Sequence, residues 1–165
     1  MIKNPSPPIP SSTVLLLRDS LEGLEVFMVM RNAGIDFAGG ALVYPGGKLD
    51  PADLTAEIAG YCDGVDRLDK TDIGYRVCGI RETFEEAGFL LAREKGDDAL
   101  MDGERCAVLG AAYRDAVHAG EMTIKDVAEK ERLTLACDHI VPFAHWITPS
   151  QFPKRYGTWF FLAAA

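Results

Sequence analysis

The segment Arg81-Glu82-Thr83-Phe84-Glu85-Glu86-Ala87-Gly88-Phe89 decides how the rest of the chain is read. The apolar pattern before it predicts a helix over residues 73–87, with Gly88 as the C-terminal stop. On that helix Glu82, Glu85 and Glu86 stand at i, i+3 and i+4, so the three carboxylates share one face. Arg81 precedes Glu85 by four residues and is placed to pair with it. Like charges at this spacing oppose helix formation by a few tenths of a kcal/mol per close pair, so a purely structural helix gains nothing from them. A hard divalent cation reverses the sign, because Mg²⁺ prefers oxygen ligands and commonly joins one or two carboxylates to substrate phosphates. The plainer alternative is an acidic, solvated helix face.

Upstream, residues 41–44 form a short apolar run that enters Pro45-Gly46-Gly47-Lys48, a strand leading into a tight loop. Taken together, the two segments resemble the Nudix hydrolase signature. Its second half, REUxEExGU with U a bulky apolar residue, is matched by Arg81, Glu82, Glu85, Glu86 and Gly88; Phe89 fills the last U and Thr83 the first. The signature opens as Gx₅Ex₇, and Gly46-Gly47 look like that opening. The spacing departs from the pattern. Gly47 lies 34 residues before Arg81 rather than 14, so about twenty residues are inserted, placed here at residues 51–70. The opening glutamate has no secure counterpart: counting back from Arg81 reaches Ile73, beside Asp72. An interrupted box of this kind is similar to that of peroxisomal coenzyme A diphosphatases. The stretches Arg31-Asn32, Phe37-Ala38-Gly39-Gly40 and Val43 to Lys48 resemble the region before the box in that branch.

The resemblance implies a metal-dependent hydrolase that cleaves the diphosphate of a nucleoside diphosphate linked to another moiety, with coenzyme A or acyl-coenzyme A as the substrate the branch suggests. ADP-ribose, dinucleotides and nucleotide sugars are alternatives, because the box does not encode the leaving group. A non-catalytic nucleotide-sensing module is the alternative from another class; such modules usually lose box glutamates, and here all three are present. The implied cofactor is Mg²⁺ or Mn²⁺. Carried over by position, Glu85 and Glu86 are metal ligands, Glu82 is a ligand or the base that activates water, and the Gly46 carbonyl adds a ligand. Arg81 is expected to orient a glutamate, which suits its planar fork. Gly47, Lys48 and Arg31 flank the loop and are the expected phosphate contacts. Lys154 and Arg155 read first as solvated cations, Phe37 and Tyr44 as core or pocket wall. His118, His139 and His145 have no ligand-like spacing, and Trp146, Trp159, Phe160 and Phe161 read as core.

The remaining elements alternate. Strands are expected at residues 13–18 and 26–31, joined by a turn at Gly23, and at residues 89–93, 140–147 and 156–162. Helices are expected at residues 51–59, capped by Asp50 with Pro51 at the first position, at 104–119, and at 123–128 capped by Thr123. This order predicts an α/β (α+β) fold, a Nudix-type α/β/α sandwich with a mixed sheet and helices on both faces. One domain is expected at residues 13–165 behind a flexible, proline-rich leader at residues 1–12. The chain stops within an apparent buried strand, WFFLAAA, which reads as a fold lacking its C-terminal part.

Composition agrees with a globular domain: 165 residues, 48% hydrophobic and 25% charged. A net charge of −8 argues against a sequence-independent nucleic-acid binder. No apolar run reaches the roughly 20 residues that span a bilayer. Four cysteines without a CxxC pair fit reduced thiols in a cytoplasm. The expected partner is a small nucleotide derivative rather than nucleic acid or membrane, with a homodimer carried over as a state frequent in the family.

Overall fold

The computed structural model describes residues 6–30 and 40–165. Its centre is the strand β1 (Ile9–Ser20), which pairs along both edges. On one side it runs parallel to β9 (Tyr156–Ala164) from Ile9 to Leu17. On the other, residues 11–13 pair antiparallel with β5 (Gly46–Lys48), and residues 17–20 pair with β2 (Gly23–Val26). β8 (Val141–Ile147) joins β9 antiparallel and closes the sheet in the order β2-β1-β9-β8. Two small antiparallel pairs stand apart from it: β3 (Val29–Met30) with β4 (Leu42–Val43), and β6 (Ala92–Glu94) with β7 (Leu133–Leu135).

β1 explains its own position. Ser12, Val14 and Leu16 alternate onto one buried face, the period-two signal of a strand with one side in the core. The helix α1 (Lys70–Ala87) lies on that face. It comes so close at Gly79 that a Cβ there would meet Val14 Cγ2 at 2.8 Å. Ile73, Val77, Ile80 and Phe84 form the inward stripe of α1. Phe84, fully buried, is worth about 1.5–3 kcal/mol of burial. Toward its start, α1 also covers β9: Tyr75 sits 6.3 Å from Trp159, and the Arg76 guanidinium 5.5 Å from the Phe161 ring. α2 (Gly103–His118) packs on α1, and α3 (Ile124–Glu131) on β7, so that Leu90, Leu91, Leu109, Val127, Leu133 and Leu135 share one core with the sheet. The mixed sheet and three helices among the described residues match the expected class.

Local readings differ in instructive places. Residues 9–12, expected in the leader, are the start of β1. Pro10 lacks a donor, yet its carbonyl accepts from Leu49 N–H while Ile9 N–H donates to Arg155 O, so a proline near the strand's start costs the ladder little. The helix expected at residues 51–59 is two 3₁₀ turns, Pro51–Leu54 and Ile58–Tyr61. The Asp50 cap and leading Pro51 are present, but Asp53 folds back onto Asp50 N–H and Thr55 is extended, so the turn does not propagate. The strand expected at residues 26–31 divides between β2 and β3; Arg31 lies outside the described residues, as do Asn32, Phe37, Ala38 and Gly39. α1 starts earlier than expected, capped by Asp69, and ends at Gly88, whose φ of 70° suits glycine. Thr123 caps α3 through a capping box with Asp126, and the helix continues to Glu131.

Phe161 is buried and Trp159 is partly buried, stacked on His145 at 4.6 Å. Trp146, expected in the core, is 71% exposed because it projects from β8, the edge strand, with Phe160 edge-on to its ring. All four cysteines are free thiols, three of them buried. Among the described residues no helix is long and apolar enough to cross a membrane.

Candidate active site

Two elements adjacent through β1 bring the site together. β5 delivers Gly46 and Gly47 to the sheet edge, and the last turns of α1 present Arg81, Glu82, Glu85 and Glu86 to them. The approach is close enough to require glycine. A Cβ on Gly47 would lie 2.2–2.6 Å from the Glu82 carboxylate, and one on Gly46 would lie 2.5 Å from Ser12 O. Gly46 N–H donates to Glu86 Oε2 at 3.0 Å, which ties the strand directly to the helix. That contact runs through the amide of Gly46; the carbonyl is the atom the signature assigns to metal.

Arg81 is the hub. Its guanidinium donates to Glu82 Oε1 and to Glu85 Oε1 at 2.9 Å each, and to the carbonyl of Lys48 at 2.9 Å. It also makes a two-pronged pair with Asp53, at 3.0 Å from Nε to Oδ1 and 3.0 Å from Nη2 to Oδ2. Burial alone would lower the pKa of Arg81, but the hydrogen bonds and charge of Asp53, then the charge of Glu82, hold it raised. Asp53 is 1% exposed; burial pushes its carboxyl up while Arg81 and Asp50 N–H pull it back.

Asp53 is the residue that counting back from Arg81 misses. Counting forward from Gly47 finds it: five residues intervene, which makes the opening Gx₅D, with aspartate where the signature has glutamate. The turn Pro51–Leu54 is held at the site by the ion pair between Asp53 and Arg81.

Glu82 carries a strongly perturbed carboxyl. Burial raises its pKa from 4.5 to about 7, with Arg81 opposing and the charges of Glu85 and Glu86 adding to the rise. Glu85 also faces α2, where His118 Nδ1 lies 3.4 Å from its Oε2. Sequence spacing gives His118 no role; the packing of α2 on α1 supplies the contact.

Glu85, Glu86 and Gly46 border a cleft of about 870 Å³. Its other wall is apolar, with Met28, Met30, Leu42, Tyr44 and Phe160, and α2 contributes Arg114, Asp115 and His118. Of the expected phosphate contacts, Gly47 and Lys48 do not border this cleft, and the Lys48 side chain is exposed to solvent. Arg155 bonds the carbonyls of Thr148 and Ser6, and Lys154 sits over Tyr156, both away from the carboxylates.

The donor chemistry suits a hard cation: oxygen-only carboxylate ligands in a half-buried position. The carboxylates are not gathered around one point, since Arg81 and Gly46 N–H hold them apart, and no cluster of three or more acidic, His or Cys side chains suited to a metal forms among the described residues. Such a set matches the way Mg²⁺ keeps waters and shares one or two carboxylates with substrate phosphates, rather than a closed protein cage.

The sequence model of the NUDT19 Nudix domain matches residues 61–165, well over half of the chain. This chain belongs to the Nudix hydrolase family. A crystal structure of a Nudix hydrolase from Alicyclobacillus acidocaldarius superposes with a TM-score of 0.69 at 27% identity, covering 97% of this chain and 71% of that one. Among curated relatives, an acyl-coenzyme A diphosphatase NUDT19 from Gallus gallus is 25% identical over 84% of this chain and 47% of its own length. That of Homo sapiens is 30% identical over 45% of this chain and 28% of its own. The chain spans less than half the length of these relatives.

Proposed function

We propose that this Nudix domain hydrolyses the diphosphate of coenzyme A or an acyl-coenzyme A with a divalent metal ion. The observation that carries the reading is the complete carboxylate face of α1 set against Gly46-Gly47 and opening on a cleft with one polar and one apolar wall. The polar wall suits a diphosphate, and the apolar wall formed by Met28, Met30, Leu42 and Phe160 suits an uncharged arm attached to it. The names of the NUDT19 relatives add the coenzyme A class.

Glu85, Glu86 and the Gly46 carbonyl would hold Mg²⁺ or Mn²⁺, with Glu82 as a further ligand or as the acceptor of a proton from water. The bound metal would neutralise diphosphate charge and lower the pKa of water. The protein's own part is positioning: Arg81 fixes the Glu82 and Glu85 carboxylates, Asp53 fixes Arg81, and Gly47 leaves room for Glu82. Water adds to phosphorus, the bridging P–O bond breaks, and 3′,5′-ADP leaves from the pantetheine phosphate. Phosphoryl transfer depends mainly on such positioning and charge neutralisation.

The test is turnover of coenzyme A, an acyl-coenzyme A, ADP-ribose, NADH and a diadenosine polyphosphate, each with Mg²⁺ and with Mn²⁺. Metal-dependent release of 3′,5′-ADP, reduced about 10²-fold or more in Glu86→Gln, is the expected result. Preference for ADP-ribose or a dinucleotide would replace the substrate assignment. Full activity of Glu86→Gln would end the site assignment.

A further inference from the structure

The face of α2 that meets α1 carries Gly110, Arg114 and His118 at i, i+4 and i+8, one stripe along the helix. Each of the three does something different at the end of α1. Gly110 faces the end of α1, where a Cβ would make an ordinary contact of 3.5 Å with Gly88 O. Arg114 then reaches the exposed carbonyls of the last turn, its Nε donating to Glu85 O at 2.6 Å and its Nη2 to Glu86 O at 2.8 Å. His118 meets the Glu85 carboxylate.

The last four carbonyls of an α-helix have no partner within the helix. Gly88 N–H satisfies that of Phe84. The next two belong to Glu85 and Glu86, two of the three residues of the carboxylate face, and one guanidinium takes both. A planar fork suits two successive carbonyls in a way that a single ammonium does not, and a cation at a helix C-terminus is favoured by the helix dipole.

We propose that Arg114 is a positioning residue for the metal site: by clamping the main chain of Glu85 and Glu86 to α2, it fixes where their carboxylates point. The proposal rests on the reading of Glu85 and Glu86 as metal ligands. Groups that orient ligands from behind typically change metal affinity 10–100-fold when removed.

The experiment is titration of the substrate-free protein with Mn²⁺, followed by electron paramagnetic resonance, for wild type, Arg114→Ala and Arg114→Lys, with thermal melting of each. Arg114→Ala should bind Mn²⁺ about 10–100-fold more weakly, and Arg114→Lys should fall between it and wild type. An arginine that only stabilises the helix end would lower the melting temperature and leave Mn²⁺ affinity unchanged, which would overturn the proposal. Unchanged Mn²⁺ affinity with a raised KM would also overturn it, by showing that Arg114 touches substrate instead. Should Arg114→Ala fail to fold, Arg114→Lys decides by the same criterion, with wild-type Mn²⁺ affinity counting against the proposal. If wild type itself binds no Mn²⁺ the metal-ligand reading fails, an outcome distinct from failure of the clamp because the variants play no part in it.

Discussion

Replacing Asp53 tests the coupling between the insertion and the box. Asp53 is 1% exposed, holds Arg81 through two hydrogen bonds of 3.0 Å, and closes its own turn by accepting from Asp50 N–H. Asp53→Ala leaves Arg81, whose side chain is 12% exposed, without its main counter-charge. Removing one partner of a buried ion pair costs about 3–5 kcal/mol. Arg81 keeps Glu82 and Glu85, so the lower end applies, about 3 kcal/mol. With a urea m-value of about 1–3 kcal/mol/M, the unfolding midpoint should move down by about 1–3 M. Because Arg81 would then be free to swing toward Glu82 and Glu85, turnover at saturating metal should fall as well. The assay is urea unfolding followed by tryptophan fluorescence, for Asp53→Ala, Arg81→Met and the double variant. The double variant should be less destabilised than the sum of the singles by about 1–3 kcal/mol. Additive single effects, or a loss below about 1 kcal/mol in Asp53→Ala, would refute the assignment of Asp53 as Arg81's anchor.

The two loop glycines should separate stability from catalysis. A Cβ on Gly46 meets backbone, Ser12 O at 2.5 Å and Thr13 Cα at 2.8 Å, so Gly46→Ala should cost about 1–3 kcal/mol in denaturant unfolding. The nearest atoms to a Cβ on Gly47 all belong to the Glu82 carboxylate, so Gly47→Ala should unfold near the wild-type midpoint yet lose about 10²-fold in turnover. Glu82 makes the metal-free protein sensitive to pH. Its folded pKa is raised from 4.5 to about 7, so between those values the folded state holds a proton that the unfolded chain has released, and stability falls as pH rises. The loss by pH 8 is about 3 kcal/mol relative to pH 4.5. Unfolding of wild type and Glu82→Gln across pH 5–8 with chelator should show that slope only in wild type; parallel curves would contradict it.

The sequence by itself determined the chemistry-bearing face and the elements around it. Carboxylates at i, i+3 and i+4 share a face whenever the segment is helical, and the stops at Gly88 and the caps at Asp50 and Thr123 are local backbone chemistry. The Gly-Gly loop was legible because close approach leaves few alternatives to glycine. Only the tertiary structure decided what surrounds that face. Asp53 belongs to the site because the 3₁₀ turn after Asp50 directs its carboxyl onto Arg81, 28 positions away. His118 and Arg114 reach Glu85 and Glu86 because α2 packs against the end of α1. Trp146 is exposed because β8 is an edge strand, which its apolar composition does not reveal. Helical spacing is a property of neighbours along the chain, whereas each of these contacts joins segments that the sequence keeps far apart. Their meeting is set by which faces bury against one another, and no local pattern encodes that.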